Sequence, residues 1–268
     1  MRSDLDLIVR RVPQADEIRI YPIADVHFGS LACNEDAWQD FVQYIRHINN
    51  SYIILGGDLI NNNTRSSVGS PWDDKIRPRE QKRQMAKMLE PLRDKILCAV
   101  SGNHERRSLK DADDDPMYDV LAKLDLEEIY RENTAFLKLG IGNRNRTDER
   151  EREKAATSYV LAVTHGSGGG MYTGASVNRN ERFGTYIDGI DALIVGHSHK
   201  GAITKPAKIV VDAHNNKISV KPFVVLSSTA WQAWGGYAAQ KMLQPSATDR
   251  QYMILDGKQD HKNITVVW

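Results

Sequence analysis

Five short polar blocks punctuate this chain, and their order limits what it can fold into. They are Asp25-Val26-His27, Gly56-Gly57-Asp58, Gly102-Asn103-His104-Glu105, Thr164-His165-Gly166 and Gly196-His197-Ser198-His199. Four directly follow an apolar run that reads as a buried strand; the first ends a run that is apolar only on alternate positions. In an open α/β sheet, chemistry collects in the crevice beyond the carboxyl ends of the strands. Packing alone does not call for Asp, His, Asp, Asn, His, His and His at successive strand ends.

The segments between the blocks support that placement. Ile18 to Ala24 alternates apolar and polar residues and predicts a strand. Asp36 to Ile48 carries Ala37, Trp38, Phe41, Ile45 and Ile48 at helical spacing, with Asn34 or Glu35 near its start. Tyr52 to Leu55 and Ile96 to Val100 read as buried strands around an amphipathic helix over Arg79 to Leu92, in which Met85 and Met88 are core filler. The acidic run Asp111 to Asp115 reads as a turn opening a helix over Pro116 to Leu126, because carboxylates favour a helix N-terminus. Gly140 to Lys154 is dense in Asn, Arg and Glu and reads as an exposed hairpin tip or loop. Thr157 to Thr164, Ala192 to Val195, Lys208 to Val211 and Ser219 to Leu226 read as strands. Met253 to Leu255 and Ile264 to Val267 read as a closing hairpin turned near Asp256-Gly257. Alternating strands and helices, then a strand-rich second half, predict two stacked sheets with flanking helices. The 268 residues suit a single domain, 1–268, with a sizeable core and a polar insertion at about 140–156.

Charge and cysteine usage narrow the class. Lys plus Arg is 36 and Asp plus Glu is 35, so no global basic field marks a nucleic-acid binder; only a local patch would serve. Two cysteines, Cys33 and Cys98, make no disulfide framework, which fits a reducing, cytoplasmic setting. Met1 to Arg11 has no signal-peptide core, and no apolar stretch approaches the ~20 residues of a membrane span, so no membrane partner is expected.

The donor set itself points to metal chemistry. A mixture of His, Asp and Asn without Cys suits an open site rather than a closed structural zinc site. Two divalent cations ~3.5–4 Å apart can clamp the attacking and leaving oxygens of a displacement at phosphorus. Asp25 and His27 are two residues apart, so on an extended segment they point to one side, and His197 and His199 repeat the spacing. Gly56, Gly57 and Gly102 let the backbone approach closely. His47, His214 and His261 have no motif around them and are expected to be structural or superficial.

The ordered set D-x-H, G-D, G-N-H-[ED], H and G-H-x-H resembles the calcineurin-like metallophosphoesterase superfamily, over about residues 16 to 230. The resemblance implies a four-layer α/β/β/α sandwich of two stacked mixed sheets, with a dinuclear metal site at strand ends. It implies that Asp25, His27 and His199 hold one metal, that Asn103, His165 and His197 hold the other, and that Asp58 bridges both. The cofactors would be two divalent ions, manganese first, with iron, zinc, nickel or magnesium as alternatives. A hydroxide shared by them would be the nucleophile. His104 would meet the leaving oxygen as general acid or charge stabiliser, and Asp25 or Glu105 would orient imidazoles.

Substrate choice rests on thinner signals. Phosphoprotein phosphatases of the superfamily extend the second block to G-D-x-V-D-R-G, whereas this chain reads Gly57-Asp58-Leu59-Ile60-Asn61-Asn62-Asn63. Three segments are expected near the site: Asn61 to Arg65; the glycine-rich Gly166 to Arg182 with Arg179; and Trp231, Trp234 and Tyr237. The aromatics read first as packing or interface residues and second as platforms for bases. One of Arg106 and Arg107 is expected at substrate phosphate. Arg65, Arg106 and Arg179 are the expected substrate contacts. The function expected is a two-metal phosphodiesterase acting on nucleic acid or nucleotides, and the alternative is a phosphomonoesterase. Non-catalytic scaffolds of the same fold typically lose metal ligands or the His of the Asn-His block, and this chain keeps them all.

Overall fold

The computed structural model describes residues 3–13, 15–65, 67, 69, 72, 74–142, 156–170, 172–235, 238–239, 242, 244–258 and 261–268. In chain order the elements are β1 (Ile8–Val12), β2 (Glu17–Ile23), α1 (Glu35–His47), β3 (Ser51–Leu55), α2 (Pro78–Leu89), β4 (Ile96–Val100), α3 (Glu105–Ala112), α4 (Pro116–Ala122), β5 (Tyr130–Arg131), β6 (Thr134–Ile141), β7 (Thr157–Thr164), α5 (Thr173–Thr185), β8 (Ala192–Val195), β9 (Ala202–Thr204), β10 (Ala207–Asp212), β11 (Lys217–Pro222), β12 (Val224–Ser227), β13 (Tyr252–Asp256) and β14 (Ile264–Val267). One mixed sheet has the order β14-β13-β2-β3-β4-β5, the second β1-β6-β7-β8-β12-β9, and β10 and β11 make a separate ribbon. Strands β2 to β5 are mutually parallel, as are β7, β8 and β12. The chain's last hairpin returns to the first sheet, where β13 pairs antiparallel with β2.

Side-chain alternation shows how the layers stack. In the second sheet Leu161, Val163, Ile194, Val224 and Leu226 join the main core between the sheets. Their neighbours Ala162, Leu193, Val195 and Val225 face the other way, into a smaller cluster with Phe183 of α5. Strand β4 is buried at every position, because helices lie beyond one face of its sheet and the second sheet beyond the other. Trp38 and Ile45 of α1, Met85 and Leu89 of α2 and Leu121 of α4 complete the main core. Helix α1 starts where Asn34 Oδ1 accepts the Ala37 N–H at 3.1 Å, satisfying one of the free donors of its first turn. The layers therefore run α/β/β/α.

Several elements differ from the sequence reading. The run Ser219 to Leu226 divides at Phe223: Lys217–Pro222 belongs to the ribbon and Val224–Ser227 to the second sheet. Pro222 has no N–H to continue a ladder, and the Phe223 N–H goes instead to Pro206 O at 3.0 Å. Strand β1 lies in a stretch whose Arg and Asp residues mask its pattern. Helix α3 begins at Glu105, inside the third block, and α5 begins at Thr173, within the glycine-rich segment that follows the fourth. In the acidic run, Asp113 closes α3 in the left-handed conformation (φ 54°), while Asp115 accepts the Tyr118 N–H at 3.1 Å to open α4. Most of Gly140 to Lys154 lies outside the described residues; β6 and β7 on either side are antiparallel, with Ile141 opposite Thr157. Among the described residues no helix is long and apolar enough to cross a membrane.

Candidate metal centre

All five blocks meet where the carboxyl ends of β2, β3, β4, β7 and β8 converge. The loops are laced by backbone bonds: Asp25 N–H donates to Gly57 O and His27 N–H to Asp58 O, both at 3.0 Å. Glycines permit the approach. A Cβ on Gly57 would lie 2.5 Å from the Gly102 nitrogen, and one on Gly102 would overlap the Asp58 side chain. Asp25, His27, Asp58, His197 and His199 all have positive φ, between 49° and 67°. That region is sparsely populated by residues with a Cβ, and such strain persists only where the surroundings over-determine it.

Two clusters share Asp58. In one, Asp25 Oδ1, His27 Nε2 and His199 Nε2 converge, with 3.1 Å between the two imidazole nitrogens and 3.3 Å from His199 to Asp25. In the other, Asn103 Oδ1 lies 3.0 Å from His165 Nε2 and 2.7 Å from His197 Nδ1, while Asp58 Oδ2 lies 3.3 Å from His165 Nε2. The same Asp58 oxygen is 3.9 Å from His27 Nε2, which places it between the clusters. All seven candidate ligands of the sequence reading are thus within one cage.

The donor chemistry fits cations. His165 Nδ1 faces Gly56 O at 2.8 Å and His197 Nε2 faces Gly168 O at 3.0 Å, and a carbonyl only accepts. Each ring therefore carries its proton there, assigned from the hydrogen-bond network. The opposite nitrogens, His165 Nε2 and His197 Nδ1, then present lone pairs to each other and to Asn103 Oδ1 and Asp58 Oδ2. With both rings neutral, four electron-rich atoms crowd one point, so the site calls for a cation there, either a metal ion or a proton. In the other cluster Asp25 Oδ1 is buried with no hydrogen-bond partner among the described residues. Burial lowers the His165 pKa, but the Asp58 carboxylate outweighs it and pushes the imidazole up to about 10. That field attracts a cation of any kind.

His104 sits at the rim. Its Nδ1 donates to Asn61 O at 2.6 Å, so Nε2 carries the lone pair, 3.9 Å from Asp58 Oδ2. Its backbone N–H donates to Asp58 Oδ1 at 2.8 Å. The Arg107 guanidinium lies against it, with Nη2 2.9 Å from His104 Nε2 and Nη1 3.0 Å from Asn63 Oδ1. Behind them Asp74 gathers the loop: Oδ1 accepts from Asn61 Nδ2 at 2.6 Å and Asn63 Nδ2 at 2.8 Å, and Oδ2 from Gln81 Nε2 at 2.9 Å. Gln81 Oε1 in turn accepts the Asn62 N–H at 2.9 Å. Asp74 and Gln81 have no motif around them, and nothing in the sequence marked them. Glu105 does not orient an imidazole. Its carboxylate accepts the backbone N–H groups of Asp58, Leu59 and Gly102 at 2.7 to 2.9 Å and so fixes the turn carrying Asp58.

The expected substrate contacts are scattered. Arg65 is exposed. Arg106 donates to Ser101 O at 2.9 Å, and it is Arg107 that reaches His104. Arg179 donates to Ser167 O at 2.6 Å and Gly169 O at 3.0 Å, closing the glycine-rich loop. That loop borders a cleft of about 360 Å³ lined by His197, His199, Lys200, Arg179 and Trp234, among others. Trp231 is buried, edge-on to Trp38 and Phe41, with the Arg250 guanidinium 3.3 Å over its ring. Trp234, by contrast, is half exposed at the cleft. Tyr237 lies outside the described residues.

Comparison with known proteins places this geometry. Residues 18–201 match the model of the family described as calcineurin-like phosphoesterase. No curated protein sequence matches. Similar solved structures include a metallophosphoesterase from Sphaerobacter thermophilus, at 13% identity over 94% of this chain and 89% of that one, with a TM-score of 0.40. A predicted phosphoesterase from Streptococcus pneumoniae aligns at 11% identity over 94% and 89%, TM-score 0.36. Zinc-complexed Vps29 from Entamoeba histolytica aligns at 12% identity over 93% and 98%, TM-score 0.37. These three likenesses are too distant to bear on function.

Proposed function

The chain belongs to the calcineurin-like phosphoesterase family, and on that premise we propose that it is a two-metal phosphodiesterase acting on nucleic acid or a nucleotide. The observation that carries the reading is the convergence of lone pairs from Asp25, His27, Asp58, Asn103, His165, His197 and His199 in a cage with strained backbone. Asp25, His27 and His199 would hold one divalent ion and Asn103, His165 and His197 the other, with Asp58 shared. Manganese is the first choice. Bound there, the ions would supply Lewis-acid polarisation and an acidified water.

The chain's own groups would do the rest. His104 presents Nε2 at the cage rim, its ring fixed by Asn61 O, and with a proton on that nitrogen it would meet the leaving oxygen. Arg107 holds a fixed positive charge beside it and would steady phosphate oxygens. A diester has a second substituent to house, and the cleft bordered by His197, His199 and Trp234 supports that preference, with Trp234 as a surface for a base. The free, buried thiols of Cys33 and Cys98 fit a cytoplasmic setting.

The test is Mn²⁺-dependent hydrolysis of matched aryl phosphodiester and phosphomonoester substrates, with Asp58→Asn as the blank. Diester turnover lost in the blank is the expected result. A monoester preference would transfer the protein to the phosphatases. Metal bound stoichiometrically without turnover of either substrate would make it a scaffold.

A further inference from the structure

The β10–β11 ribbon has its apolar side outward. Its register pairs Ala207 with Pro222, Ile209 with Val220 and Val211 with Ile218, so these six residues share one face. Lys208, Val210, Asp212, Lys217, Ser219 and Lys221 share the other. Lys208 shows which face meets the body of the protein: its Nζ donates to Ile187 O and lies 5.3 Å over the Phe223 ring. The opposite face is left in solvent, with Ile209 76%, Val211 68%, Ile218 73% and Val220 67% exposed. A one-residue slip in register would reverse this, yet the turn fixes the register: Asp212 accepts both the N–H and the Nδ2–H of Asn215, and Asn216 adopts φ 51°. Two-stranded ribbons are marginally stable alone, and contiguous apolar patches mark contact surfaces.

We propose that this face is a homodimer interface, covered by the same face of a second copy of this chain. The pattern on the patch favours that occupant. The two isoleucines, Ile209 and Ile218, occupy one diagonal of the square and the two valines, Val211 and Val220, the other. A two-fold axis lying in the plane of contact, along or across the strands, sets every isoleucine of one copy over a valine of its partner. Large side chains then oppose small ones at all four positions, the condition for close packing, and the contact is self-complementary as a two-fold interface requires. The four exposures amount to roughly 500 Å² per copy, or about 1,000 Å² buried in a dimer, which reaches the lower limit for a specific interface. Lys208, Lys217 and Lys221 lie on the reverse face, so stacking the apolar faces keeps like charges apart. This inference is independent of the proposed substrate.

Sedimentation equilibrium of the full metal-loaded chain at micromolar concentrations tests it. The wild type is expected at twice the chain mass. Val211→Lys with Ile218→Lys is expected at the chain mass, with its circular dichroism unchanged. Val211→Thr with Val220→Thr keeps shape and strand propensity while burying hydroxyls, and is expected to weaken the dimer at least about tenfold. It decides the matter even if the lysine variant misfolds. A monomeric wild type at 100 µM, or a dimer that both variants leave intact, would overturn the proposal.

Discussion

The two walls beside the metal cage are built on different principles. On the His104 side, Asp74, Gln81, Asn61, Asn62 and Asn63 are linked in a partly buried network that ends on His104 and Arg107. On the His197 side, the loop at Gly168 and Gly169 is closed by the exposed Arg179 guanidinium donating to loop carbonyls, and the cleft beyond it is open. A buried network of several mutual hydrogen bonds restricts the groups it holds, whereas a guanidinium on solvent-accessible backbone carbonyls contributes little rigidity. The first wall suits chemistry, which needs fixed groups, and the second suits recognition of a variable substituent.

The cage between them should show the largest effect. Asp58→Asn removes the shared carboxylate and is expected to abolish turnover by orders of magnitude and to lower metal content, read by elemental analysis of the dialysed protein. Next comes His104→Ala, with a loss in kcat of about 10²–10⁴-fold and full metal content. Near-wild-type turnover in either variant would show that the role assignments are wrong.

The cage was legible in the sequence because its residues carry their own context: each stands at the end of an apolar run, beside a glycine or another donor. Strands β4, β7 and β8 were legible with their observed bounds because burial is written into residue type, and β14 because its residues, Ile264, Thr265, Val266 and Val267, are all strand formers. The rigid wall was not legible. Asp74 lies in a polar loop and Gln81 on a helix face that reads as surface, yet Gln81 is fully buried. Their roles come from tertiary proximity, and polar partners leave no periodicity. Glu105 was visible as part of its motif, but its use for backbone N–H groups rather than an imidazole depends on a turn that only the folded chain displays.

Stability separates the walls too. Glu105→Ala would leave buried N–H groups of Asp58, Leu59 and Gly102 without an acceptor, at about 1–3 kcal/mol each, so urea unfolding should show a midpoint well below the wild type. Asp74→Ala tests the network at greater distance from the cage. It should lower kcat by about 10–100-fold while metal content stays unchanged, because the residue acts through Asn61 on His104. Asp74→Asn, which keeps one acceptor oxygen, should recover part of that loss. A purely structural Asp74 would instead lower the unfolding midpoint and leave kcat per folded molecule intact.

The smallest effect belongs to the open wall. Arg179→Ala removes a guanidinium whose partners are the carbonyls of Ser167 and Gly169 and, at 3.5 Å, that of Gly168, all reachable by water. Loosening the loop there leaves Asp58, His104 and Asn103 where they are, so kcat should hold. KM for the diester should rise a few-fold, the signature of lost uniform binding. The loop also supplies Gly168 O, which accepts from His197 Nε2. If kcat falls as far as in Asp74→Ala, that carbonyl is fixing the His197 tautomer, and the two walls are equally part of the catalytic frame.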